Sequence, residues 1–190
     1  PDLFLITGDL FDSVRPSNAV RARLMHHFKD LYNVGIRTIL VSGHHDTPKS
    51  VEEGASPLAV YGNSGYALFF PNPLDPGPYI VEIGGVEVAI YGVSYDHLLK
   101  PEVDPLSRVA FTPTGQMAIL LTHYPIEGFS GYFGFEPRVR LASIPHFINL
   151  VAAGHFHNQQ VKKTGSATIV YPGSTERASF AEESEEKGFV

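Results

Sequence analysis

Residues 3–9 read Leu-Phe-Leu-Ile-Thr-Gly-Asp, and this run decides the fold. Four apolar residues closed by Gly8 predict a short buried strand, with Asp9 just past its end. A polar loop follows to Pro16, and Ser17 is the residue type that caps a helix. Val20, Leu24, Phe28 and Leu31 then recur at spacings of four, four and three, one face of a helix. Asn33 and Gly35 are stop signals, and Thr38 to Ser42 is a second buried strand. Strand, helix and strand at this spacing predict a right-handed βαβ unit, hence parallel pairing.

Further along, residues 48–78 are rich in Gly, Pro and Ser, with one short helix predicted near Pro57 to Tyr61. Tyr79 to Ile83 and Val86 to Tyr91 are apolar and β-branched runs joined by Gly84-Gly85, a two-residue hairpin signal. Met117 to Thr122, Asn149 to Ala153 and Thr168 to Tyr171 predict further strands.

The composition bounds the function. A chain of 190 residues with 43% hydrophobic residues can bury one sizeable core. Cysteine is absent, which excludes disulfides and thiolate metal sites and fits a cytoplasmic setting. No apolar run approaches the roughly 20 residues of a membrane span. The net charge of −6 comes mostly from Glu182, Glu183, Glu185 and Glu186, against a basic bias at Arg15, Arg21, Arg23 and Lys29. Global charge therefore gives no nucleic-acid signature, although bound divalent cations can bring positive charge to an acidic protein. The chain opens on Pro1-Asp2 without an initiator Met and ends on Gly188-Phe189-Val190, so residues 1–190 are expected to be one domain cut at both ends from a longer protein.

The chemistry-bearing residues fall at one kind of place. Asp9, His44, His123 and His155 each come within a few residues of an apolar strand. In layered α/β folds the loops at the carboxyl ends of strands gather into one crevice. The segments are Gly8-Asp9-Leu10-Phe11-Asp12, Gly43-His44-His45-Asp46, Thr122-His123 and Gly154-His155-Phe156-His157. Each alone reads as a polar turn or a structural histidine. Together they place five of nine histidines and one carboxylate at converging strand ends, the ligand types that Zn, Mn and Fe prefer. His26, His27, His97 and His146 show no such placement and read as surface or core residues.

The order GD-x-x-D, then G-x-H-D, then H, then G-H-x-H resembles the calcineurin-like metallophosphoesterase superfamily. The later Tyr171-Pro172-Gly173-Ser174-Thr175-Glu176-Arg177, with Phe180 and Lys187-Gly188-Phe189, is similar to its SbcD-like branch, the nuclease subunits of double-strand-break repair complexes. The resemblance implies a four-layer αββα sandwich holding two divalent ions, manganese foremost, with zinc, iron or magnesium as alternatives. It implies that Asp9 bridges both ions, that His123 and His155 ligate the second and His157 the first, and that His45 stands near the leaving group with Asp46 orienting it. Asp12 would support the metal loop from behind. It implies attack of an ion-activated water on a DNA phosphodiester, with DNA, an SbcC-type ATPase and a second copy of the chain as partners.

Two departures qualify the resemblance. The family opens with D-x-H on a strand before GD-x-x-D, which would lie upstream of Pro1, as the parts that cap DNA would lie downstream of Val190. The family also has Asn where this chain has His44. An imidazole nitrogen sits as many bonds from Cα as the Asn oxygen, so His44 is expected to ligate the second ion and to favour Zn or Mn over Mg. Arg15 and Arg21 beside the metal loop, and Tyr132 and Arg138 in the aromatic loop 129–140, are candidate DNA contacts. Two rival readings are a phosphoesterase acting on nucleotides or cyclic phosphodiesters, and a non-catalytic subunit that keeps the fold.

Overall fold

The computed structural model describes residues 1–130 and 135–190. Strand β1 (Leu3–Ile6), helix α1 (Asn18–Asn33) and strand β2 (Arg37–Val41) form the expected unit, with β1 and β2 parallel and Leu5 opposite Ile39. Ser17 caps α1, its side chain accepting from the Val20 N–H. The helix buries Phe28 and packs Leu24, Met25 and Leu31, while Val20, expected on the same face, is half exposed. Val20 sits in the first turn of the helix.

Helix α2 (Ala59–Ser64) and strand β3 (Ala67–Phe70) follow. β3 pairs parallel with β2 and completes a three-stranded sheet in the order β1-β2-β3. Among the described residues β1 has a strand partner on one side only. The second sheet has six strands: β4 (Tyr79–Ile83), β5 (Val86–Val93), β6 (Met117–Thr122), β7 (Leu150–Ala153), β8 (Gln160–Thr164) and β9 (Ala167–Tyr171). Its order is β4-β5-β6-β7-β9-β8, with β5, β6, β7 and β9 parallel and the two outer strands antiparallel. Ile83 pairs with Val86 across Gly84-Gly85, the expected two-residue hairpin.

The sheets face each other over Ile39, Val41, Phe70, Val88, Ile90, Ile119 and Leu121. Each such side chain contributes about 1.5–3 kcal/mol by leaving water. A second core, with Phe28, Leu40, Leu58 and Tyr61, lies between the small sheet and the helices. A third covers the outer face of the large sheet with Tyr91, Leu120, Ile169 and Tyr171. The outermost layer over it is coil with two 3-10 turns, Pro105–Arg108 and Leu141–Ser143. These are the two stacked sheets of the four-layer αββα sandwich that the resemblance implies, with helices outside the small sheet and, among the described residues, 3-10 turns and coil outside the large one. The consequence is positional: parallel strands from both sheets end along one shared edge.

Candidate metal centre

Close backbone approach at that edge builds the site. A Cβ on Gly43 would strike Asp9 Oδ1 and come within 2.7 Å of His123 Cε1. A Cβ on Gly154 would strike the Thr7 carbonyl and come within 2.6 Å of His123 Nδ1. Glycine at these points lets the ends of β1, β2 and β7 close around one imidazole. The edges are also stitched across sheets: the Tyr95 N–H donates to the Ser42 carbonyl at 3.0 Å, and the Ser42 N–H to Ser94 Oγ at 2.9 Å.

His123 is the hub, 1% exposed. Its Nδ1–H donates to the Thr7 carbonyl at 2.7 Å. A neutral ring then presents only a lone pair at Nε2, which is buried, has no hydrogen-bond partner and faces Asp9 Oδ2 at 3.1 Å. Asp9 Oδ1 accepts the His45 N–H at 2.8 Å, and Asp9 holds φ +51°, one of two non-glycine residues in the left-handed region among those described. Burial alone would push the Asp9 carboxyl up, but the His123 ring and the His45 N–H outweigh it and hold it down at about 2. Burial would push His123 down, and Asp9 outweighs it and raises it.

The residues fit a divalent cation. A buried imidazole lone pair opposed to a carboxylate oxygen asks for a positive charge between them. Nε2 and Oδ2 lie 3.1 Å apart, close enough for one ion to be shared between them.

His155, the other non-glycine residue with positive φ (+90°), follows β7. That backbone costs on the order of 1–3 kcal/mol and is held by its surroundings. Its ring meets His123 edge-on at 5.5 Å, and its Nε2 lies 3.1 Å from Glu136 Oε1. His44 stacks on Tyr95 with ring centres 4.7 Å apart, and its carbonyl is 3.0 Å from His97 Nε2. Burial first, and the neighbouring His97, hold His44 below its ordinary pKa and so in its ligating form. One ligand atom each from His44, Glu136 and His155 falls within 4.8 Å of the others.

The remaining expected residues are placed differently. Asp46, fully buried, does not orient His45: its two oxygens accept the Gly43 N–H at 2.5 Å and the Leu10 N–H at 2.9 Å, locking the β1 and β2 loops together. Burial raises its pKa. His45 is instead held by the Asp12 main chain, with Nδ1 at 3.1 Å from that carbonyl, while the Asp12 carboxylate stands in solvent 3.9 Å away. His157 turns to the rim, where Nδ1 is 3.0 Å from Glu182 Oε1. Glu182 in turn pairs with Lys187 at 2.6 Å, and Arg177 donates to the carbonyls of Glu182 and Glu185. Part of the acidic stretch is thus a folded clasp. Arg15 and Arg138 are exposed. Arg21 is half-buried, with a buried, unpartnered Nε. Tyr132 lies outside the described residues.

Sequence reasoning missed His97 and Glu136. His97 carries the same signal as the others, four residues past β5. Glu136 lies 14 residues past β6 and carries none.

Residues 1–159 match the family model for calcineurin-like phosphoesterases. The DNA double-strand break repair protein Mre11 of Methanocaldococcus jannaschii is 29% identical over 179 residues, covering 93% of this chain and 46% of that protein. Its namesake from Methanococcus maripaludis is 31% identical over 189 residues, covering 96% and 48%. The uncharacterized metallophosphoesterase YhaO of Bacillus subtilis is 24% identical over 188 residues, covering 99% and 44%. The chain spans about half the length of the curated relatives it matches.

Proposed function

The chain belongs to the calcineurin-like phosphoesterases, and from that premise we propose that it is the phosphodiester-hydrolysing core of an SbcD-like DNA repair nuclease. The observation that carries the reading is the buried His123 Nε2, which makes no hydrogen bond of good geometry and stands 3.1 Å from the Asp9 carboxylate where four strand ends meet. Asp9, His44, His123 and His155 would hold divalent ions, manganese foremost, with His157 as a further ligand. When bound, two such ions lower the pKa of a water and neutralise phosphoryl oxygens.

The chain's own residues do the rest. His45 is half exposed and has Nδ1 against the Asp12 carbonyl, which leaves Nε2 to exchange a proton with a leaving group. Asp46 fixes the turn that carries His45 and ties it to the Asp9 loop. The stack of His44 on Tyr95 keeps that imidazole from swinging out. Arg15 and Arg138 would meet the DNA backbone, with Arg21 held closer to the protein. An SbcC-type ATPase, a second copy of the chain and a cytoplasmic setting follow from the same reading. Among the described residues no helix is long and apolar enough to cross a membrane.

The test is hydrolysis of an end-labelled DNA duplex by the manganese-loaded chain. Cleavage should occur, and His45→Asn should slow it by about 10²- to 10⁴-fold while leaving bound manganese unchanged. Hydrolysis of a cyclic dinucleotide or a nitrophenyl phosphodiester with the duplex left intact would favour the small-substrate reading. A folded, ion-loaded chain that cleaves neither would leave the non-catalytic one.

A further inference from the structure

Glu136 stands outside every motif of the sequence, yet it reaches the same point as two strand-end histidines. Its partner in hydrogen-bonding and ion-pair distance, among the described residues, is His155 at 3.1 Å. Its side chain is 14% exposed, and that of His155 15%. A carboxylate this far from water is stabilised by nearby positive charge, and a divalent ion supplies that charge more strongly than the imidazoles of His155 and His44. The ligand atoms of His44, Glu136 and His155 already lie within 4.8 Å of one another.

Each of the three is fixed from a different direction. His44 is held by the Tyr95 stack and by His97 at its carbonyl. His155 is aimed by its left-handed backbone. Glu136 is anchored through the bridge between Ile126 and Val139, where the Glu127 N–H donates to the Val139 carbonyl and the Val139 N–H to the Pro125 carbonyl, each at 2.9 Å. That bridge hangs the Glu136 segment on the chain just past His123. A ligand set fixed before the ion arrives binds with less ordering cost.

From this arrangement we infer that Glu136 is a direct ligand to a divalent ion shared with His44 and His155. Two imidazole nitrogens and one carboxylate oxygen form a donor set suited to Zn, Fe(II) or Mn and poorly matched to Mg, which prefers oxygen and keeps its waters. The site therefore selects a transition metal. This inference deepens the ion-dependent reading above and rests on it.

The experiment is calorimetric titration of the chain with Zn²⁺ and with Mg²⁺, alongside the visible absorption of the Co²⁺-loaded chain. Glu136→Gln keeps the shape and removes the charge. It should weaken one Zn²⁺ site by at least about tenfold, since even an outer partner of a ligand is worth that much. The Co²⁺ bands should shift, and Glu136→Asp should restore part of the affinity. His44→Asn should weaken the same site and lessen the preference for Zn²⁺ over Mg²⁺. Thermal melts of the ion-free variants control for folding. A Glu136→Gln chain with the parent's Zn²⁺ affinity and Co²⁺ spectrum overturns the role of Glu136 and leaves the wider reading standing. A folded parent chain that takes up no Zn²⁺ overturns both.

Discussion

Two histidines of one short motif, His155 and His157, are held in opposite ways. His155 sits at the end of β7 with a strained backbone, a quarter turn from His123 and 3.1 Å from Glu136, its side chain 15% exposed. His157 lies two residues on, with its side chain 48% exposed, in an ionic clasp with Glu182 and Lys187. The first is placed by backbones from several strands, the second by side chains on a rim. Placement by backbone is costly to disturb because nothing nearby can give way. Placement of a half-exposed ring by one ion pair is cheaper to disturb, because water and salt reach the ring, even though the Glu182 and Lys187 side chains behind it are only 11% and 6% exposed.

The largest effect should come from the crowded side. Gly154→Ala drives a methyl group into the Thr7 carbonyl and against His123 Nδ1, so it should cost more than about 3 kcal/mol in urea unfolding or prevent folding altogether. A fully folded Gly154→Ala chain would mean that the strand ends are looser than the distances imply. Next, His123→Ala should lower manganese affinity by at least about a hundredfold, measured by titration on the folded variant, because the hub nitrogen is lost. Asp46→Asn replaces an acceptor of two backbone N–H groups at a fully buried position, and should cost about 1–3 kcal/mol in the same unfolding assay.

The smallest effect belongs to the clasp. Lys187 first, then His157, holds the Glu182 carboxyl down at about 2, against an ordinary value of 4.5. A carboxylate whose pKa is depressed by folding stabilises the fold above its ordinary value. That contribution is lost as pH falls from 4.5 towards 2. Glu182→Gln should therefore lower the unfolding midpoint slightly at pH 6, and parent and variant should converge as pH falls through that window. High salt should shrink the difference at pH 6 as well. A large loss that salt leaves unchanged would place the clasp with the core.

What the sequence disclosed follows the same division. Local signals were sufficient where one residue's chemistry decides the conformation: Ser17 at the cap of α1, Gly84-Gly85 at the hairpin, apolar runs at β1, β2, β5, β6 and β7. β8 was hidden because it is an outer strand reading Gln-Val-Lys-Lys-Thr, with no buried face to impose a pattern. β3 was hidden at the end of a stretch rich in Gly and Pro, where four apolar residues gain their meaning only from pairing with β2. At the strand ends, position relative to an apolar run points to Asp9, His44, His123 and His155, which the fold brings to one edge, and the same criterion at β5 points to His97. Glu136 was beyond reach because its position depends on a bridge between Ile126 and Val139, a contact with no local signature. Sequence proximity pairs Asp46 with His45, whereas its partners in the fold are the N–H groups of Gly43 and Leu10, the latter 36 residues away.

If strand ends from both sheets assemble one metal centre around His123, that residue decides whether the chain holds an ion. The most direct test is elemental analysis of the folded chain after manganese loading and desalting, with His123→Ala measured beside it. The parent should retain at least one ion per chain, and the variant should lose that ion. A folded parent that retains none would mean that the strand ends around His123 do not form a metal centre.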